Sequence, residues 1–195
     1  METDIILTLY RRPETVFKIN EIAQLCPSIS YESIRDRLYY FTKKEKLIHP
    51  HHGIYAKPSY NPLELANKLY TPSYISLETV LLREGVVFQH YKTIFAVSYL
   101  TRTVSIRDIN IQYRTIRKDI LTNTLGILRH DGYAVASLER AFLDAVYIYK
   151  NYHFDNLGPI NWEKVEILKP LYANHSFEKR LNRYYQEYKE DHVSH

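Results

Sequence analysis

Apolar residues recur at helical spacing near the start of the chain. Residues 4–10 begin with Asp4, whose side chain suits an N-cap, and carry apolar positions three and four apart before Pro13. A short apolar run at residues 16–19 then predicts a strand. The opening of the chain is therefore predicted to be a helix followed by a strand.

Two further helices are predicted next. Residues 21–26 suit a helix of barely two turns that is capped by Asn20 and ended by Pro27. Ser28 and Ser30 offer caps to a third helix that runs to about residue 43. Its apolar side chains fall at i, i+4 and i+7 and form one stripe, which consists of Ile34, Leu38 and Phe41.

The pattern after the third helix changes to short apolar pairs. Leu47-Ile48 and Ile54-Tyr55 flank a turn-rich stretch of histidine, proline and glycine, which predicts a β-hairpin. Three helices and a hairpin within 60 residues follow the order of a winged helix-turn-helix. We therefore predict such a domain over residues 1–60, with its third helix presented to the major groove of DNA and the hairpin as its wing.

The rest of the chain combines helical and strand-like patterns of apolar residues. A helix from Asn61, ended by Thr71-Pro72-Ser73, predicts a linker over residues 61–73. Residues 74–195 are predicted to form a second domain, with strand-like runs at 86–99 and 103–113 and with helices at 77–84, 138–149, 162–172 and 176–190. Ser76 and Ser137 are the predicted caps of the first two. The predicted fold class is α+β: a winged helix-turn-helix, then a small mixed α/β domain with C-terminal helices.

Composition narrows the class of protein. The chain has 195 residues, of which 45% are hydrophobic and 25% charged, as in ordered globular proteins. Its one cysteine, Cys26, excludes an intrachain disulfide and any zinc site with two cysteine ligands; a buried structural thiol is expected. Without a leader sequence or a long apolar run, we expect a cytoplasmic protein that does not bind membranes. The five glycines are too far apart for a phosphate-binding loop.

Charge and aromatic content favour an anionic partner. The net charge is +4, and basic residues exceed acidic ones over residues 1–129, whereas acidic residues predominate after that. The chain also holds 19 tyrosines. These side chains suit stacking on nucleic-acid bases, although codon usage in an AT-rich genome also enriches tyrosine.

The third helix supplies most of the candidate site. On a helical wheel, Arg35 and Arg37 flank the outward face and suit phosphate contacts, while Ser33 and Tyr40 suit contacts with base edges. Glu32 and Asp36 on the same face oppose DNA binding, and their presence leaves a protein-binding adaptor as an alternative. The predicted DNA-binding residues are Ser30, Ser33, Arg35, Arg37, Tyr40, Lys43, Lys44, His51, His52 and Lys57.

Other patterns are weak signs of catalysis. His49, His51 and His52 suit either a metal or a polar hairpin tip, but adjacent strand residues point apart. Asp144 suits an ion pair with a basic neighbour. The basic stretch of the second domain suits either nucleic-acid contact or a solvated sheet face; it comprises Arg102, Arg107, Arg114, Arg117 and Lys118. We predict no catalytic residues, no metal and no cofactor, and hence not an enzyme.

Four segments of the chain stand out as a set. They are Gly53-Ile54-Tyr55, Tyr74-Ile75-Ser76-Leu77-Glu78-Thr79-Val80-Leu81 with Gly85-Val86-Val87, Tyr113-Arg114-Thr115-Ile116, and Ala136-Ser137-Leu138-Glu139-Arg140-Ala141-Phe142-Leu143-Asp144. These segments, in this order, resemble the AbiEi-type antitoxins of type IV, or abortive-infection, toxin–antitoxin systems, and the resemblance extends over about residues 1–150.

The resemblance implies a DNA-binding transcriptional repressor that binds the operator of its own operon. It also implies an antitoxin that counters a nucleotidyltransferase-like toxin in phage defence without forming a stable complex with it. Palindromic operators imply paired binding. The chain departs from the family in lacking a glycine between the third helix and the wing, in carrying Leu138 in place of proline, and in its short C-terminal part. A solitary winged-helix regulator without antitoxin activity is therefore a further alternative.

Overall fold

The computed structural model describes residues 4–89 and 92–193, and these residues form a mixed α+β fold. Its first part consists of three helices and three short strands. In chain order they are α1 (Ile5–Tyr10), β1 (Val16–Lys18), α2 (Ile19–Leu25), α3 (Tyr31–Lys43), β2 (Ile48–His51) and β3 (Ile54–Ala56).

A small core holds these first elements together. The strands form an antiparallel sheet in the order β1-β3-β2, with Val16 opposite Ala56 and Ile48 opposite the same residue on its other side. The helices pack on one another through side chains of which almost nothing is exposed, among them Ile5, Leu9, Ile22, Cys26, Ile34, Leu38 and Leu47. Burial of these apolar side chains fixes α3 on α1 and α2.

The second part begins with α4 (Pro62–Leu69) and contains a larger sheet. Its strands are β4 (Ser73–Ile75), β5 (Thr93–Ser98), β6 (Arg102–Ile106), β7 (Ile109–Thr115), β8 (Ile127–His130) and β9 (Tyr133–Ala136). Its other helices are α5 (Glu78–Arg83), α6 (Lys118–Thr122), α7 (Leu138–Ile148), α8 (Trp162–Leu168), which continues as a 3₁₀ turn (Lys169–Tyr172), and α9 (His175–Val193).

The strands of this sheet do not follow chain order. Their order is β6-β7-β5-β4-β9-β8, in which β5 pairs with β7 in parallel and β4 pairs with β9 in parallel, whereas the other pairs are antiparallel. Helices α5 and α7 pack against the sheet and against each other, and α8 and α9 pack on α7. The large apolar core lies between these helices and the sheet.

Helix α4 packs on both parts of the chain. Its Leu65 lies in a small apolar cluster with Val16 and Ile54 of the first part and with Ile106 of the second, whereas the adjacent Ala66 belongs to the large core. The segment that the sequence suggests as a linker is therefore a packed element. The predicted domain limits themselves remain predictions, and residues 1–3, 194 and 195 lie outside the described residues.

A buried polar network ties three elements of the second part together. Asp144 of α7 accepts hydrogen bonds from Ser76 (2.8 Å) and from the phenols of Tyr172 (2.6 Å) and Tyr74 (3.2 Å). The guanidinium Nε of Arg140, one helical turn earlier, lies 3.5 Å from the same carboxylate. Both charged side chains are fully buried, so the predicted pairing of Asp144 with a basic neighbour is confirmed.

Several local predictions are confirmed. Ser30 and Ser137 cap α3 and α7, Asn61 caps α4, and α3 ends at Lys43 as expected. Cys26 is buried. The mixed α+β class is also confirmed.

Other local predictions are wrong. Asn20 lies inside α2, which starts at Ile19 because the carboxylate of Glu21 accepts from the backbone N–H of Lys18. Ser76 binds Asp144 instead of capping α5, whose N-cap is Leu77. Residues 86 and 87 form a buried loop and not a strand, whereas residues 90 and 91 of that predicted strand lie outside the described residues.

None of the helices that the structure describes combines the length and the hydropathy needed to cross a bilayer.

Candidate nucleic-acid interface

Helix α3 presents the candidate surface because its two faces differ sharply. The hydroxyl of Ser30 accepts from the backbone N–H of Ser33 at 3.3 Å and caps the helix. Ile34 and Leu38 are fully buried on one side, and Phe41 packs against the same core. The opposite side of α3 is consequently held rigidly toward solvent.

Two tyrosines dominate the exposed side of α3. Tyr39 and Tyr40 are 63% and 55% exposed, although large aromatic side chains usually pack against the protein. The ammonium of Lys43 lies 5.4 Å from the ring centre of Tyr39, and that of Lys44 lies 5.9 Å from the ring centre of Tyr40. Each pair is four residues apart, so the helix itself aligns a cation with an aromatic ring.

Sequence reasoning included Tyr40, Lys43 and Lys44 but missed Tyr39. The sequence does contain a pattern that indicates Tyr39: the doublet Tyr39-Tyr40 is followed, four residues later, by the doublet Lys43-Lys44. Two aromatic rings that are each paired with a cation suit contact with phosphates and bases together. Tyr31, at the first turn of α3, is also half exposed and was missed as well.

Arg35 of α3 lies near the hairpin formed by β2 and β3. Its side chain is exposed, and it lies close enough to Tyr55 of β3 to act on that phenol. Burial and the neighbouring Tyr31 raise the pKa of Tyr55, whereas Arg35 opposes this shift. The ring of His49 stacks on Tyr55 with ring centres 4.6 Å apart. The first turns of α3 and the base of the β2–β3 hairpin therefore lie near each other.

The hairpin turn carries the two other predicted histidines. His51 and His52 are exposed, and the Nδ1 atom of His51 lies 3.3 Å from the carbonyl oxygen of His52. Gly53 completes the turn with a φ of 71°, a conformation that favours glycine. The two imidazoles therefore stand at the tip of the hairpin.

Two predicted basic residues lie away from this surface. Arg37 is partly buried and lies on the side of α3 that faces Cys26, where burial raises the pKa of the thiol and Thr8 and Arg37 lower it. The ammonium of Lys57 donates to the backbone carbonyl of Arg12 at 2.7 Å and contacts rings of α1 and β1. Lys57 thus lies at the far end of β3 from the hairpin turn.

Ser30 and Ser33 are engaged within the protein. Besides the cap, the hydroxyl of Ser30 donates to that of Ser33 at 3.1 Å. Ser33 still has lone pairs and its own proton, because a hydroxyl both donates and accepts. Glu32 and Asp36 are exposed on the same helix, so the surface carries both charge signs.

The other candidate chemistry is dispersed. Within residues 4–89 and 92–193 no group of three or more His, Cys, Asp or Glu side chains is arranged to hold a metal ion. The basic stretch of the second part is divided among separate contacts: Arg102 lies over Tyr70, Arg114 lies over Tyr149, and Arg117 pairs with Asp119. These side chains do not combine into one described site.

A comparison of the chain with protein-family models finds no match, and a comparison with curated proteins finds none either. The resemblance to AbiEi-type antitoxins rests on the four sequence segments alone.

Proposed function

We propose that residues 1–60 are a winged helix-turn-helix that binds double-stranded DNA, and that the chain represses transcription of its own operon. The exposed side of α3 carries this proposal. It presents Arg35, Lys43 and Lys44 together with Tyr39 and Tyr40, on a helix whose other side is fully buried. The order of helices and strands supports the same proposal, in which α2 and α3 are the two helices of the motif and β2–β3 is its wing.

In this proposal, Arg35, Lys43, Lys44 and the hairpin histidines contact phosphates and set the orientation on DNA. Ser33 and Tyr40 contact base edges, which supply sequence preference. Glu32 and Asp36 reduce affinity for phosphates and favour positions where a base donor, such as the amino group of cytosine, faces them.

We further propose that the protein acts as the antitoxin of a type IV system and counters a nucleotidyltransferase-like toxin. This part rests on the resemblance of the sequence segments between residues 53 and 144 to AbiEi-type antitoxins. We expect a gene for a toxin of that kind next to the gene for this chain. We also expect that co-expression of this chain restores the growth of cells that produce the toxin.

The direct test is fluorescence anisotropy with the DNA upstream of the protein's own gene, with scrambled DNA as the control, over a series of salt concentrations. We expect a preference of about 10³-fold or more for the upstream DNA and a steep loss of affinity with salt. Equal, weak binding to both DNAs contradicts the proposal.

A protein-binding adaptor is the second candidate, and the acidic pair on α3 favours it. Glu32 and Asp36 lie on the same exposed helix as Tyr39, a side chain type enriched at protein interfaces. An adaptor's binding lacks the steep dependence on salt that phosphate neutralisation imposes. The salt series therefore distinguishes the two candidates.

A further inference from the structure

A cleft of about 590 Å³ lies where the two parts of the chain meet. The start of α2 forms one wall, the end of α4 and β4 form the floor, and the β8–β9 hairpin with the segment after α6 forms the other wall. Cavities of roughly 300–1,000 Å³ at such junctions are typical sites for small molecules. None of the residues proposed to bind DNA lines this cleft.

Uncompensated positive charge is the first feature of the cleft. Its basic side chains are Lys18, Lys68 and Arg129. Lys68 is paired, because its ammonium lies 2.7 Å from a carboxylate oxygen of Glu21. Among the described residues, the ammonium of Lys18 donates to the neutral hydroxyl of Thr71 and forms no ion pair. The guanidinium of Arg129 is exposed and makes no side-chain hydrogen bond or ion pair with the residues that the structure describes. Two of the cations that line the cleft therefore have no carboxylate partner in the described part of the chain.

A donor without an acceptor is the second feature. The Oδ1 atom of Asn67 accepts from the backbone N–H of Ala134 at 2.9 Å, which fixes the orientation of the amide. The Nδ2 atom is shielded from solvent and has no acceptor among the described residues. Because buried donors without partners are rare, this amide calls for an acceptor from a bound molecule.

An aromatic surface is the third feature. The rings of His130 and Tyr133 stack with centres 4.9 Å apart and both line the cleft. Flat aromatic surfaces of this kind stack with nucleobases.

We propose that this cleft binds a phosphate monoester, most favourably a nucleoside monophosphate. A phosphate monoester carries about two negative charges at neutral pH, which matches the two uncompensated cations. Arg129 and Lys18 contact the phosphate oxygens, Asn67 donates its free N–H to the ligand, and the base stacks on the His130–Tyr133 pair. The ligand joins α2 to β8 and hence the first part of the chain to the second.

The test is calorimetric titration of the full chain at constant ionic strength with three probes: inorganic phosphate, adenosine 5′-monophosphate and adenosine. We expect the monophosphate to bind, and Arg129→Gln and Lys18→Gln to weaken it at least about tenfold each, the loss of one charge-assisted hydrogen bond. Arg83→Gln, which removes an exposed arginine of α5 outside the cleft, is the matched control and leaves binding unchanged.

The outcomes are distinguishable. Tighter binding of the monophosphate than of inorganic phosphate supports a nucleotide, and equal binding assigns the cleft to the phosphate group alone. Should one of the two cleft variants not fold, as judged by circular dichroism, the other decides. The proposal is overturned when no phosphate-bearing probe binds saturably, or when the cleft variants bind as tightly as the control. Neither result depends on whether the chain binds DNA.

Discussion

The carboxylate of Glu64 binds both the backbone and the side chain of Thr15. Its Oε2 atom accepts from the Thr15 N–H at 2.8 Å and from the Thr15 hydroxyl at 2.6 Å, while Oε1 accepts from the N–H of Val16 at 2.9 Å. Glu64 is buried, and Gly132 packs so closely on it that a Cβ at that position would overlap the carboxylate. This carboxylate fastens α4 to β1 and thereby fixes how the two parts of the chain meet.

Replacing Glu64 is expected to destabilise the whole protein. Glu64→Gln turns one oxygen into an amide that faces a backbone donor, so we expect a loss of about 2–3 kcal/mol in the free energy of unfolding, and a larger loss for Glu64→Ala. Urea denaturation measures it. Glu166→Gln, at an exposed ion pair with Lys169, is the control with an expected change below about 1 kcal/mol. Equal effects of the two Gln variants contradict the structural role of Glu64.

The buried pair Arg140–Asp144 predicts a non-additive double variant. Burial by itself lowers the pKa of the Arg140 guanidinium. The neighbouring Tyr172, Asp144 and Tyr74 raise this pKa by more than burial lowers it, so the side chain stays charged. Asp144→Leu leaves that buried charge without its partner and is expected to lower the free energy of unfolding by about 3–5 kcal/mol. Adding Arg140→Met removes the stranded charge, so the double variant is expected to be more stable than Asp144→Leu alone.

Thermal and urea unfolding of the two single variants and the double variant complete this cycle. The guanidinium also donates to the carbonyls of Leu125 and Ile120, so Arg140→Met alone has a cost of its own. Strictly additive losses contradict a coupled pair.

The basic side chains of α3 are expected to set the salt dependence of DNA binding. Lys43→Gln with Lys44→Gln removes two phosphate contacts and is expected to lower the slope of log affinity against log salt by about 1.8. Affinity should fall for upstream and scrambled DNA alike. Lys57→Gln is the matched control, because the ammonium of Lys57 is bonded to the carbonyl of Arg12.

Anisotropy titrations at four or more salt concentrations provide the slopes. A slope unchanged in the Lys43/Lys44 variant, or lowered equally by Lys57→Gln, moves the DNA contact away from the exposed side of α3.

Sequence preference is expected to depend on Ser33 and Tyr40. Ser33→Ala and Tyr40→Ala should reduce the preference for upstream over scrambled DNA. For a lost base contact, we expect the difference in binding free energy between the two DNAs to fall by about 1–3 kcal/mol. Ser30→Ala instead removes the cap of α3 and is expected to cost about 1 kcal/mol of stability. A uniform loss for both DNAs in Tyr40→Ala identifies a backbone contact rather than base readout.

The thiol of Cys26 is expected to react only when the first part of the chain opens. It is fully buried in the core of α1, α2 and α3, and burial raises its pKa. Modification by a disulfide reagent should therefore be at least about 10³-fold slower in native buffer than in urea, in line with a free energy of opening of several kcal/mol. Rapid reaction of the native protein contradicts this and indicates a reactive thiol.

Local patterns along the chain determined most of the helices. The stripe Ile34, Leu38 and Phe41 is enough to place α3 and its exposed face, because helical periodicity depends only on neighbours within one or two turns. The same holds for the caps at Ser30 and Ser137. Most candidate DNA-binding residues of α3 could accordingly be named from the sequence, whereas the exposed Tyr31 and Tyr39 were found only in the structure.

Only the tertiary structure decided how distant segments meet. The strands β4, β8 and β9 have three or four residues each, too few for a periodic signal, and the pairing of β4 with β9 joins segments sixty residues apart. Ser76 is a residue type that favours helix caps, yet its hydroxyl donates to the buried carboxylate of Asp144, which lies 68 residues later in the chain. The cleft next to Asn67 likewise depends on contacts between distant segments, such as the hydrogen bond of Glu64 to Val16 and the ion pair of Lys68 with Glu21, and contacts across 47 or 48 residues leave no trace in local sequence.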